Sequence, residues 1–238
     1  MSGTLGRKQT NNEQSWRYPP NACGASALST RPPDGDSPVA FESGRSMTVL
    51  VLGLFIFLGV HSVRMVADPW RTAQIARLGL RGWKGLYTLV SIAGLALVVW
   101  GYGLASAHHV VVWAPPVWGR HVAALVTISA FVLIAAAYVP GNRIKAALGH
   151  PMLAGVQAWA LAHLLANGTL AAVVLFGAFL AWAVADFVSA RRRDRDAGAS
   201  YPTGTLARDA MAGVIGLAAW ALFGFVLHGW MTGMRAFG

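Results

Sequence analysis

The stretch MTVLVLGLFIFLGVHSV, residues 47–63, decides the fold. It carries no Asp, Glu, Lys or Arg. Wound at 3.6 residues per turn it is apolar all round, whereas the outer helices of a soluble bundle need a polar face. A hydrocarbon layer of about 30 Å takes roughly 20 such helical residues. The run therefore reads as the core of a first membrane span, near 48–66. It opens abruptly at Met47, after a Pro-, Ser- and Gly-rich segment over 1–46 that has no useful apolar run and reads as disordered. That segment lacks an apolar stretch followed by a small-residue cleavage site, so it does not read as a secretory signal. Met47 is the expected natural start of translation.

Apolar runs recur outward from this one near 86–106, 120–140, 151–167, 169–188 and 211–231. The expected fold is all-α, a polytopic membrane bundle of about six transmembrane helices. Its expected divisions are a tail over 1–46, a membrane domain over 47–190, a basic cytoplasmic loop over 191–210, and a last helix with a short tail over 211–238. HPMLAGVQAWALAHLLANG, residues 150–168, holds the fourth and most polar span, and Asn167-Gly168 makes a tight turn into the fifth. Small residues such as Gly94, Gly101, Gly213, Gly216 and Gly224 suit close helix contacts in lipid.

Composition agrees: 55% of the chain is hydrophobic and 12% charged, against roughly a quarter charged in soluble domains. The net charge of +10 is spread between apolar runs, which argues against nucleic acid as a partner and for the lipid bilayer. Lys and Arg concentrate in alternate connections, at Arg64, Arg71, Arg77, Arg81 and Lys84, at Arg143 and Lys145, and at Arg191, Arg192, Arg193, Arg195 and Arg208. Such loops stay in the cytoplasm. The expected location is a bacterial inner membrane, with both termini on the periplasmic side. Trp100, Trp113, Trp118 and Trp230 suit the outer interface, and Trp70 and Trp83 the inner one.

The inventory excludes several chemistries. Cys23 is the single cysteine, so an intrachain disulfide, a Cys-based zinc site and an iron–sulfur cluster are all ruled out. Glutamate occurs only at Glu13 and Glu42, which removes paired-glutamate catalysis and carboxylate-bridged di-iron sites.

Histidine is what remains. His108, His109 and His121 fall at span ends, where they meet water. His150 precedes Pro151, a residue favoured at the first turn of a helix, and marks where the fourth span begins. His228 lies three residues from the outer end of the last span. His61 and His163 lie deeper: counted from the span ends at 1.5 Å per residue, both fall within about 5 Å of the midplane, on opposite sides of it. They can ligate one metal, with His150 and His228 as runners-up, or each can hydrogen-bond a neighbouring helix. Haem needs only two axial imidazoles from the protein and suits an apolar pocket. Trp159 and Asn167 share a helical face with His163. Arg64, three residues beyond His61, can pair with a haem propionate or reach lipid phosphate. Asp186 reads as a partner for the adjacent arginines.

From about residue 47 to 193 the chain resembles the NnrU family of membrane proteins. The resemblance is carried by LGVHS at 58–62, RLGLRGWKGLYTLVSIAGL at 77–95 and WAPPVWGR at 113–120. Above all it is carried by GHPMLAGVQAWALAHLLANGTLAAVVLFGAFLAWA at 149–183. It implies an association with denitrification and the handling of nitrite or nitric oxide. A related branch includes the haem-b-dependent 15-cis-zeta-carotene isomerase, whose haem-binding histidine motifs correspond to His61 and His163. HPMLAG at 150–155 is also similar to a run in membrane methyltransferases, but Gly149 and Leu153 depart from that pattern and no later glutamate exists.

Three functions follow as expectations: a haem-b protein supporting nitrogen-oxide reduction with a redox partner, a haem-dependent cis–trans isomerase of a conjugated lipid, and a haem-free transporter or assembly factor. No catalytic residue is assigned.

Overall fold

In a computed structural model of the chain, the backbone is described over residues 38–232 and the side chains over 44–230. The expectation of a disordered tail lies outside the described residues up to residue 37. Helix α1, Pro38–Val66, starts nine residues before Met47, so the helical backbone reaches into the segment read as tail. Helix α2, Asp68–Ser106, likewise begins well before the span read at 86. The first connection is therefore helical, broken by a kink at Gly79, whose φ of 71° is left-handed. Glycine reaches that region without the penalty a Cβ brings. Then follow α3 (Gly119–Tyr138), the short α4 (Arg143–Leu148), α5 (Pro151–Ala166), α6 (Leu170–Asp196) and α7 (Leu206–Leu222). A π-helical turn at Phe223–Leu227 leads into α8 (His228–Thr232). The expected loop over 191–210 narrows to 197–205, between α6 and α7.

Five of these helices are long and apolar enough to cross a membrane, and Pro151–Ala166 is a shorter apolar one. This is the all-α, multi-span membrane architecture that the apolar runs imply. Phe55 is 76% exposed and Val214 68%, which in lipid puts apolar atoms against acyl chains.

Packing runs as a series of neighbours, α2 on α1, α1 on α6, α6 on α5, α5 on α3 and α3 on α7. The α1–α2 pair closes on small residues. A Cβ at Gly101 would stand 2.4 Å from the Leu50 nitrogen, and one at Gly94 2.8 Å from the Phe57 nitrogen. With no driving force from water inside lipid, this close backbone approach supplies the attraction between the helices. Leu50, Leu54, Val98, Ala160, Ala172, Leu175 and Phe176 form the main core cluster.

Both ends are tied by backbone groups. At one end, Val112 N–H donates to Gly168 O at 2.8 Å, and Leu170 N–H to Val110 O at 2.8 Å. At the other, the buried Asn142 accepts from Lys145 N–H at 2.7 Å, capping α4. Its amide donates to Ala136 O and Val139 O. Asp209 accepts from Arg143 N–H at 2.6 Å, bringing the start of α7 to the same end. The basic connections thus gather at one end of the bundle.

Candidate functional site

His61 sits in the penultimate turn of α1, and its Nδ1 lies 2.6 Å from the carbonyl of Phe57. His163, in the last turn of α5, repeats the arrangement with Nδ1 2.9 Å from Trp159 O. In a neutral imidazole the nitrogen facing a carbonyl must be the donor, so the Nε2 of each ring carries the lone pair. Neither Nε2 has a hydrogen-bond partner among the described residues. An imidazole that donates through one nitrogen and offers the other is the usual form of a metal-ligating histidine.

His61 opens onto a cavity of about 350 Å³ at the arginine-rich end, where α1, α2, α5 and α6 converge. Arg64, Arg71, Arg193, Asp186, His150 and Tyr87 supply its polar wall, and Val60, Val63, Trp83 and Leu153 much of the apolar one. Asp186 pairs with Arg193 at 3.6 Å, as its place beside the arginines leads one to expect. Arg71 pairs with Asp68 at 2.9 Å. Arg64 has no partner among the described residues.

His150 occupies the N-cap of α5 without capping it, and Pro151 takes the first turn. Its ring turns instead to Asp194, Nε2 to carboxylate 2.9 Å, and Tyr201 donates to the same carboxylate at 2.8 Å. Burial and the Asp194 carboxylate hold the Tyr201 phenol above its ordinary range, burial being the larger cause. His150 is therefore both a cavity wall and the anchor of the 197–205 loop.

Two polar groups of α2 and α6 are buried without a partner, Trp182 Nε1 and Ser91 Oγ. The Trp182 ring meets His61 edge-on at 5.9 Å. Ser91 lies about level with Val60, since Gly94 faces Phe57 and Gly101 faces Leu50 across the α1–α2 contact. Buried donors are rarely left unmatched, so a polar guest beside the Trp182 ring suits this arrangement.

His163 lies in a different setting. Its ring stacks on Phe176 at 4.5 Å and packs against Trp159 at 5.1 Å. Trp159 in turn packs on Phe176 and Phe179 of α6 at 5.1 and 5.5 Å, so it meets a neighbouring helix. Asn167 donates from its side chain to His163 O at 2.9 Å, closing the end of α5. His228 stands in α8 with its ring 6.1 Å from Phe223.

The two imidazoles are not brought into contact. His61 meets Trp182 and His163 meets Phe176, six residues apart on α6, or roughly 9 Å along its axis. Phe57 and Phe179, 5.8 Å apart, stand between them with Trp159. Helices α1 and α5 do not pack on each other; both lean on α6. Among the described residues no group of three or more His, Cys, Asp or Glu could hold a metal ion. Any metal held here would draw on at most two imidazoles from the protein and on further ligands of its own.

The sequence reading missed Tyr87, Trp182, Arg71 and Arg193. Trp83, Tyr87 and Ser91 recur at four-residue spacing on one face of α2, and that signal was available.

A family model described as NnrU protein matches residues 49–236 of the chain. No curated protein and no solved structure matches it.

Proposed function

The chain belongs to the NnrU family, and from that premise we propose that it binds haem b through Nε2 of His61 and of His163 and supports the reduction of nitrogen oxides. The basic end faces the cytoplasm of a bacterial inner membrane in this reading. The observation that carries it is the matched pair of imidazoles. Each has Nδ1 occupied by the carbonyl one turn back and Nε2 open. The orphaned Trp182 Nε1, on a ring that meets His61 edge-on, suits a guest there. His61 and His163 would hold the haem, which would supply a one-electron couple suited to electron transfer or redox sensing.

The chain's own residues do the positioning. The Phe57 and Trp159 carbonyls fix the tautomer and orientation of the two rings. Phe176 and Trp159 confine His163 from two sides. Asn167 holds the helix end that carries it.

Purification of the full chain in mild detergent, from cells supplied with haem, tests this. A Soret band is expected in the wild type and its loss in both His61→Ala and His163→Ala; a wild type without the band refutes haem binding. In the reduced protein, a spectral change with nitric oxide but not with a conjugated polyene is expected. A response to the polyene would replace the nitrogen-oxide reading by the isomerase.

A further inference from the structure

We propose that the cavity beside His61 is a binding site for a phosphate-type oxyanion, with Arg64 as its main ligand. Three guanidinium groups line it, from Arg64, Arg71 and Arg193, against the single carboxylate of Asp186. Arg71 and Arg193 are each held by one carboxylate, at 2.9 and 3.6 Å. That leaves Arg64 with five unmatched donors, arranged in the planar fork that fits phosphate or carboxylate oxygens two at a time. Cationic walls with this excess attract anions.

The volume, about 350 Å³, admits an inorganic phosphate with its hydration, or the headgroup of a phospholipid but not its chains. The rest of the lining is largely apolar, from Val60, Val63 and Leu153, with the ring of Trp83. The side chain of Arg64 is exposed, so the cavity communicates with the end of the bundle. Free phosphate and a lipid phosphodiester present the same oxygens, and the lining serves both. His61 lines this cavity and is also a ligand in the haem reading, but the cationic groups of the site come from α1, α2 and α6, and His163 is not part of the lining.

The test uses the full chain in two arms, with the His163→Ala protein beside the wild type so that haem is absent under the reading above. In the first arm, inorganic phosphate is titrated into detergent-solubilised protein. In the second, the protein is placed in phosphatidylcholine discs with increasing phosphatidylglycerol. Thermal stability and Trp fluorescence, for which Trp83 is a local reporter, are followed in both. Saturable binding is expected in at least one arm, and the arm that responds identifies the source of the phosphate. Arg64→Gln is expected to weaken it about tenfold or more, the effect of losing a charged hydrogen-bonding group. Arg192→Gln, an exposed arginine outside the lining, is expected to leave it unchanged. If Arg64→Gln does not fold, Arg71→Gln serves in its place. No saturable response in either arm overturns the proposal, and so does an equal loss in Arg192→Gln, which would show diffuse surface attraction. A failure here leaves the haem reading standing, and a missing Soret band leaves this one standing.

Discussion

Gly101→Ala should destabilise the protein, whereas Gly103→Ala, two residues along the same helix, should not. A Cβ at Gly101 would lie 2.4 Å from Leu50 N, 2.6 Å from Leu50 Cα and 2.9 Å from the carbonyl carbon of Val49, all backbone atoms. Backbone cannot rotate aside, so α1 and α2 must separate by about 1 Å to restore a contact near 3.4 Å. Overpacking of this kind costs typically about 1–3 kcal/mol. For a chain of this size that corresponds to a fall in melting temperature of roughly 2–12 °C. Gly103 has nothing within 4 Å of its Cβ position, so alanine there should be neutral or stabilising by up to about 1 kcal/mol through helix propensity. Thermal unfolding of both variants in one detergent, followed by circular dichroism, is the assay. If the two melt together, or Gly103→Ala melts lower, the α1–α2 contact is not as close as described. The same logic applies to Gly216, whose Cβ would meet Val132 Cα at 2.6 Å, and Gly213, which has open space.

Asn142→Ala removes the α4 cap and leaves two buried carbonyls without their donor; a loss of about 2–3 kcal/mol is expected in chemical unfolding. Gly79→Ala meets no atom but places a Cβ at φ 71°, so a loss of about 1–2 kcal/mol should appear from backbone strain alone. Tyr201, whose folded phenol titrates above its ordinary range, favours the folded state while protonated. That contribution is complete below the unfolded value near 10 and is lost as pH rises through the folded one. A difference titration of tyrosinate absorbance between wild type and Tyr201→Phe should show the displaced midpoint, and Asp194→Asn should bring it back toward the ordinary value.

Much of the fold is legible in the letters. Uninterrupted apolar runs announce spans, the alternation of arginines announces which connections share an end, and Pro151 announces the start of α5. The order of packing is not legible, because helices apolar all round carry no polar face to say which side meets protein and which meets lipid. The histidines show the same limit. Counting residues from span ends puts His61 and His163 at nearly one depth only if every helix is centred alike. In the structure α1 begins at Pro38 and α5 is only 16 residues long, and the two rings meet α6 at different turns. The cavity was harder still, since Arg64, Trp83, Leu153 and Arg193 come from four helices. Their convergence depends on that unreadable packing order.

Helix α5 has a consequence for the surrounding membrane. Sixteen residues rise roughly 24 Å, short of a typical hydrocarbon thickness of about 30 Å. Met152 and Leu161 are exposed on this helix, so lipid meets it directly. The bilayer must pinch inward there, or a second protein must shield the mismatch. The backbone ties between 110–113 and 168–170 keep peptide groups satisfied on one side of the pinch. Lipids with shorter acyl chains should accordingly accumulate around this helix.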